Sequence, residues 1–569
     1  MKLNYRILCL ALVLLMLIPL VVGCKKNKND PAGSDSTSDV VDSGSSSDTK
    51  AEDSEAASDS ESASDTEEDS EATSDVEDSE ATSDSEEDSE SASDSEEDTE
   101  SASDTEADEI ETDENGYQKD DLDGLDFDGK EIKVLACSDS IYEELGLTAE
   151  QMNETKLNRA LYLRDMKVKT RLDVKVLYHF TSRDDMVKEA EVLETEGGVD
   201  LYAPYSRLSA SLMMRGYTKN LLDVPNLDLT APWWAQDLID KVTIHDRLYV
   251  ASGDISPSLL AQTFIICYNK DLFETVKNDK LAKYDAESLY EMVNEGTWTL
   301  DAMMEIAKGV GFGTEDGKDA DDIYGFTVDP INVDCFYQGA GLKVLDYNPD
   351  GSVKVSEDLG SAKTHGLVED LVEFFDSADV FAPGYDDPNR NVQIQSFYQG
   401  NTLFNVNCMV YVPIMVNKGV NVGILPIPKY DTEQERYYDI TGFAYLVWSV
   451  SRGTTDESLE AAGAVMECMA SEGYRTVTPT VYNEIYRDQS SSSLDDYKMW
   501  ETIRNSVEIE GGRLFVDVFE NKTYAIFRGA VVGRTTDYMS SYEGQHEAMV
   551  GYADGLNDLM KTMEDIYGG

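Results

Sequence analysis

Residues 248–274 read LYVASGDISPSLLAQTFIICYNKDLFE, and the choice of fold turns on them. Residues 248–251 are apolar and read as a strand. Gly253-Asp254-Ile255-Ser256-Pro257 is a polar break. The second apolar run, residues 264–268, is rich in β-formers and stops at Asn269-Lys270-Asp271. Two strands around a Gly/Pro-marked turn place side chains at strand ends, where α/β proteins bind ligands.

Upstream, residues 131–137 (EIKVLAC) alternate as a strand, and residues 153–171 carry apolar positions at helical spacing. Residues 172–180 read as a strand, 182–194 as a helix, and 199–202 as a third strand. This β-α-β-α-β order predicts an α/β fold with a mostly parallel sheet and helices on its faces. Pro232-Trp233-Trp234 is expected to start a helix with Pro near its first position.

Downstream, Thr299 is expected to cap a helix that runs to about Lys308. Residues 311–322 read as a polar loop, 325–328 as a strand, 366–375 as an amphipathic helix, and 403–412 and 422–427 as strands. Residues 440–450 (ITGFAYLVWSV) read as one buried strand. Thr454 and Glu457 suggest a capping box before the helix at 459–470. Residues 510–512 read as a loop within a mainly helical C-terminal part.

The N-terminus has the pattern of a targeting segment. Lys2 and Arg6 precede an apolar run over 7–22, short for a membrane span. Leu20-Val21-Val22-Gly23-Cys24, followed by Lys25-Lys26, resembles the bacterial lipobox. Cys24 is therefore expected to carry acyl chains, palmitate among them, and to place the chain on the outer face of the cytoplasmic membrane.

Charge divides the rest. Residues 30–114 hold 36 acidic residues and one Lys, in a loose Ser/Asp/Glu-rich repeat of about ten residues. No apolar position recurs there, so nothing offsets the entropy of ordering, and like charges extend the chain. A disordered tether is expected. From residue 115 onward there are 78 acidic and 40 basic residues, an ordinary globular balance on the acidic side. A net charge of −68 excludes nucleic acid as a partner.

Cys137, Cys267, Cys335, Cys408 and Cys468 remain after the leader. Most sit in apolar runs and read as buried thiols, with one disulfide left open. The four His are scattered and no metal spacing appears, so no metal and no cofactor are expected.

Six segments in order then carry a resemblance. They are VDLYAPYSRLSASLMMRGYTKNLLDV from Val199, DRLYVASGDISPSLLAQTFIICYNKDLFE from Asp246, GTWTLDAMMEIAK from Gly296, FYQGNTLFNVN from Phe397, VGILPIPK from Val422 and ITGFAYLVWSVS from Ile440. Together the chain resembles the bacterial extracellular solute-binding proteins of family 1, the maltose-binding-like receptors of ABC importers. The resemblance implies a two-lobed periplasmic-binding-protein-like fold of type II. It implies a non-catalytic, monomeric receptor that binds a small solute, an oligosaccharide or similar, in the interlobe cleft and delivers it to an ABC permease. The implied division is a signal peptide at 1–23, a lipidated tether at 24–117 and a solute-binding domain at 118–569. Lobe one would span about 129–268 and 440–490, and lobe two about 269–439 and 491–569. The first crossing would fall at Tyr268-Asn269-Lys270, the second near residues 439–442, and the third near residues 488–496.

A sugar cleft needs aromatic faces and planar polar side chains. Tyr205 and Arg207 follow the third strand where the family has cleft contacts. Asp254 is either a ligand contact or a turn cap. Phe336 and Tyr337 are either contacts or core. Asn405 and Asn407 alternate with apolar neighbours and face one side of their strand. Gly442 and Phe443 lie at the return crossing. Trp233 and Trp234 are either stacking platforms or packed indoles. Two other functions compete: a secreted hydrolase with paired carboxylates, and a stalked surface adhesin. Among so many acidic residues a carboxylate pair carries no weight, and no nucleophile motif stands out.

The tether gives the first test. Residues 30–115, as a peptide, should show coil-like circular dichroism and be cut rapidly by protease in the full chain. A protease-resistant fragment from that region would overturn this reading.

Overall fold

Residues 111–311 and 319–567 are described in the computed structural model. The expected signal peptide, Cys24 and the acidic stretch to residue 110 lie outside them, as does most of the polar loop after Gly311. Residues 111–117, assigned to the tether from sequence, belong to the folded part. Asp113 caps a turn there by accepting the N–H groups of Asn115 and Tyr117, Thr112 bridges Gln118, and Tyr117 meets Tyr474 edge-on at 5.3 Å.

The fold holds two main sheets. In the first, Lys130–Cys137 is flanked in parallel by Val174–Thr181 and Leu201–Ala203, with Lys130 opposite Val174 and Val134 opposite Leu201. Ser449–Val450 adds the last strand, antiparallel to Leu201–Ala203. The helices Lys156–Leu172 and Met186–Glu196 make the crossovers. Thr155 caps the first of these by accepting the N–H of Asn158, and Asp173, at φ 43°, ends it in the left-handed conformation. Ile132, Val134 and Leu135 are buried beneath these helices, and each contributes about 1.5–3 kcal/mol by leaving water.

The second sheet has the order Val422–Leu425, Phe264–Asn269, Thr402–Cys408, Tyr324–Val328, Val380–Phe381. It is mixed rather than mostly parallel, because Phe264–Asn269 runs antiparallel to both neighbours. All six residues of that strand are buried, as an unbroken apolar run in a central strand requires.

That pairing moves the first crossing. Phe264 lies opposite Cys408 and Tyr268 opposite Phe404, so the strand belongs wholly to the second sheet. The chain changes lobes just before it, where Thr263 bridges Thr441 and the N–H of Gly442 meets the carbonyl of Gln262 at 2.7 Å. The expected crossing at Tyr268-Asn269-Lys270 is therefore an intralobe strand end, where Asn269 caps the helix Lys270–Leu281. Asp439–Ile440 pairs in parallel with Val507–Glu508, which brings a further connecting segment to the same place.

Other local expectations shift. Residues 248–251 are extended but bridge only at Ala251, to Trp448. The run 440–450 is two short strands, Asp439–Ile440 and Ser449–Val450, joined by irregular chain. Residues 409–412 leave the strand, and a helix starts at Tyr411. The cap of the helix Asp456–Glu472 is Thr455, not Thr454. The helix expected at Pro232 begins only at Gln236. Both indoles are buried and donate to one carboxylate: Trp233 Nε1 to Glu467 Oε1 and Trp234 Nε1 to Glu467 Oε2, each at 3.0 Å. The five cysteines are buried and none is in a disulfide.

Asp439 gives a pH test at the crossing. It is fully buried and accepts the N–H of Ile427 at 2.7 Å and the hydroxyl of Ser506. Burial pushes its pKa up to about 7. The folded protein then keeps a proton that the unfolded chain releases near pH ~3.9. Its contribution is complete below that value and falls as pH rises towards about 7. Asp439→Asn cannot titrate and can keep both hydrogen bonds. The melting temperature of the wild type relative to this variant should fall between pH 4 and pH 8, and a flat difference would refute a retained proton.

Candidate functional site

The site is built where the chain crosses. Gly442 packs closely on Gln262: a Cβ there would stand 2.6 Å from Gln262 Oε1, and that side chain would have to move aside. The close approach at Gly442 is made to the chain itself. The next residue, Phe443, is 6% exposed and turns its ring towards two guanidiniums. The Arg513 guanidinium carbon lies 4.0 Å from the ring centroid and that of Arg207 5.7 Å. Cation–π contact of this kind contributes about 0.5–2 kcal/mol.

Arg513 sits on a four-residue helix, Gly511–Leu514, packed against the Ser206–Leu208 turn and the helix Gln236–Val242 of the first lobe. Its guanidinium also lies 5.9 Å from the Phe264 ring and 5.1 Å from the Tyr524 ring. Arg513 Nη1 donates to Asp334 Oδ2 at 2.9 Å. Asp334 starts the helix Asp334–Gly339 and is fully buried. It also accepts Arg528 Nε at 2.8 Å and Arg528 Nη2 at 2.6 Å. Arg528 comes from the helix Lys522–Val532 and donates its remaining Nη1 to Tyr385. The carboxylate beside it holds the Arg528 guanidinium firmly charged, with burial opposing. Arg207 Nη2 reaches Asp517 Oδ1 at 2.6 Å.

Two of the residues selected from sequence, Arg207 and Phe443, come together here, and a third adjoins. Tyr205 is buried at the start of the same turn, bridges Leu446, and has the Arg183 guanidinium 5.4 Å from its ring centroid. Tyr337 stands behind the site, 6.2 Å ring to ring from Tyr524, with its hydroxyl donating to the carbonyl of Lys343. Phe336 packs on Phe326 in the core of the second lobe. Asn405 donates to Thr327 and Gln393, and Asn407 donates to Asn405 Oδ1 at 3.2 Å, so both serve a buried polar cluster inside the second lobe. Asp254 takes its N–H to the carbonyl of Trp233 and accepts the hydroxyl of Thr478. Both partners are in the first lobe, and burial pushes the Asp254 carboxyl up to about 6.

Arg513, Asp334, Tyr524 and Arg528 were not selected from sequence. Arg513 directly follows residues 510–512, which read as a loop, and an isolated Arg carries no spacing signal. A separate cavity of 390 Å³ opens between Lys241 of the first lobe and the residues Lys343, Tyr347, Lys354, Glu508 and Glu510. None of the sequence-selected residues lines it. Among the described residues no group of His, Cys, Asp and Glu could hold a metal ion.

The shared carboxylate predicts an asymmetry. Asp334→Ala leaves two buried guanidiniums without their counter-charge and should cost about 3–5 kcal/mol. Asp517→Ala removes the partner of a more accessible Arg and should cost about 1 kcal/mol or less. Urea unfolding of both variants checks this, and equal losses would refute a privileged role for Asp334.

No family model matches the sequence, and no curated protein matches it. Solved structures do match. The cyclic alpha-maltosyl-1,6-maltose binding protein of Arthrobacter globiformis is 14% identical, covers 75% of this chain and 100% of its own, and superposes with a TM-score of 0.50. The extracellular solute-binding protein of Staphylococcus aureus in complex with maltose is 12% identical, covers 75% of this chain and 98% of its own, and has a TM-score of 0.48. At such identities the likeness concerns fold, and the Arthrobacter match carries it. The chain has the two-lobed α/β fold of a bacterial sugar-binding protein, as the resemblance in its sequence implies.

Proposed function

We propose that the protein is an extracytoplasmic receptor that binds a small solute, an oligosaccharide, between its lobes and hands it to an ABC permease. The observation that carries this reading is the Phe443 ring held at the lobe crossing against Arg513 and Arg207. The Phe264 and Tyr524 rings also lie near the Arg513 guanidinium, at 5.9 and 5.1 Å. Aromatic faces with planar hydrogen-bond donors suit pyranose rings and their hydroxyls. Groups from both lobes meet here, Arg207 of the first and Phe264 and Tyr524 of the second, so a bound solute would be gripped on closure and released on opening. The receptor acts without catalysis. Asp334, the carboxylate at the centre of the site, is committed to two arginines.

The lipid anchor at Cys24 rests on the sequence from Leu20 to Lys26. An acyl chain there would tether the receptor beside its permease, with the acidic segment as the spacer. The receptor works as a monomer in this reading.

Thermal shift of the full chain against a panel of neutral and acidic oligosaccharides tests it, with released reducing ends assayed in parallel. One solute at about 100 times its Kd should stabilise the fold by about 2.7 kcal/mol without turnover. Phe443→Ala should weaken that solute about tenfold, a difference of about 1.4 kcal/mol. Turnover, or no response to any solute, would refute the receptor.

A further inference from the structure

We infer that the crossing site takes a carboxylate of its ligand on the unpaired edge of Arg513, so that the solute is an acidic glycan carrying uronate units. This rests on the receptor reading above and narrows it to a substrate class.

The first support is unused donors. Arg513 spends Nη1 on Asp334, but its Nε and Nη2 are buried and meet no hydrogen-bond acceptor among the described residues. The side chain is only 6% exposed. A buried donor left unmade costs about 1–3 kcal/mol, more when it is charged. The N–H groups of Nε and Nη2 leave one edge of a guanidinium side by side. That spacing matches the two oxygens of a carboxylate, whereas a single hydroxyl oxygen cannot meet both donors well.

The second support is charge. Asp334 is one carboxylate between two guanidiniums, Arg513 and Arg528. Its two oxygens are filled by three guanidinium N–H groups, one of them from Arg513. Asp517 is engaged by Arg207. Glu510 is close by, but it accepts the N–H groups of Val344 and Leu345 and the hydroxyl of Tyr524 rather than any N–H of Arg513. A ligand carboxylate would give Arg513 the unshared partner it lacks.

The third support is what surrounds the edge. Phe443, Phe264 and Tyr524 offer ring faces within 4.0–5.9 Å of the guanidinium carbon. Aromatic faces and a carboxylate fork together describe a sugar acid. Arg513 lies on a helix packed against the first lobe, and Asp334 and Tyr524 come from helices of the second, so opening of the lobes would uncover this edge.

Calorimetric titration of the full chain tests this with trigalacturonate, triglucuronate, their methyl esters and maltotriose. At least one acid should bind about tenfold or more tightly than its ester and than maltotriose. Arg513→Lys keeps the charge but loses the paired edge, and should cut the acid-over-ester preference to about threefold or less. Equal binding of acid and ester, or binding of maltotriose alone, would overturn the carboxylate and leave the receptor reading intact. Binding of none of these, with no response across the wider panel, would overturn both. If Arg513→Lys does not fold, the acid and ester comparison on the wild type decides the matter alone.

Discussion

The backbone contact between Gly442 and Gln262 is the constraint on which the rest depends. The N–H of Gly442 reaches the carbonyl of Gln262 at 2.7 Å, and a Cβ at Gly442 would collide with the Gln262 side chain. Two segments that link the lobes are thereby locked side by side. Phe264 then enters the second sheet in fixed register with Cys408. On the other segment Phe443 is delivered to the mouth between the lobes, its carbonyl held by the hydroxyl of Ser206 at 2.7 Å. A bulkier residue at 442 would force the Gln262 side chain to move aside.

Around that crossing the protein concentrates positive charge that its composition otherwise lacks. Arg207, Arg513 and Arg528 lie within a few side chains of one another, against a strongly negative background. A low-dielectric setting makes each of these charges act more strongly than it would in water. Asp334 shows how the fold tolerates the cluster: one fully buried carboxylate accepts three guanidinium N–H bonds from two helices. Elsewhere the same device is purely architectural. Glu467 collects the two indoles that follow Pro232, together with the N–H of Asp228.

Much of the scaffold was legible in the sequence because it depends on local pattern. The alternation in residues 131–137, the helical spacing that follows and the Thr299 cap all report short-range physics. The errors lie where a distant partner decides. The apolar run at 264–268 does not reveal which sheet it joins; Phe404 and Gly423 decide that. Trp233 and Trp234 look like a helix start until Glu467 is brought to them by the fold. The alternation of Asn405 and Asn407 was read correctly as one face of a strand, but the partners on that face are Thr327 and Gln393. Phe443 and Arg207 were selected through the resemblance. Arg513 was not selected because its contacts are with Asp334 and Phe443, which no spacing connects to it.

The short strand Ser449–Val450 has a consequence for how the chain reaches this structure. It completes the first sheet by pairing with Leu201–Ala203, yet the entire second sheet lies between the two in sequence. The first lobe therefore cannot close its sheet until the segments of the second have been made. Pairings of such long sequence separation form late and slowly, because the loop entropy is lost before the contact is gained. During that interval the outer edge of Leu201–Ala203 stands open, and an open strand edge invites mispairing with other chains. Assembly of this protein is thus set by the order in which its strands emerge, with the last edge sealed only after both crossings exist.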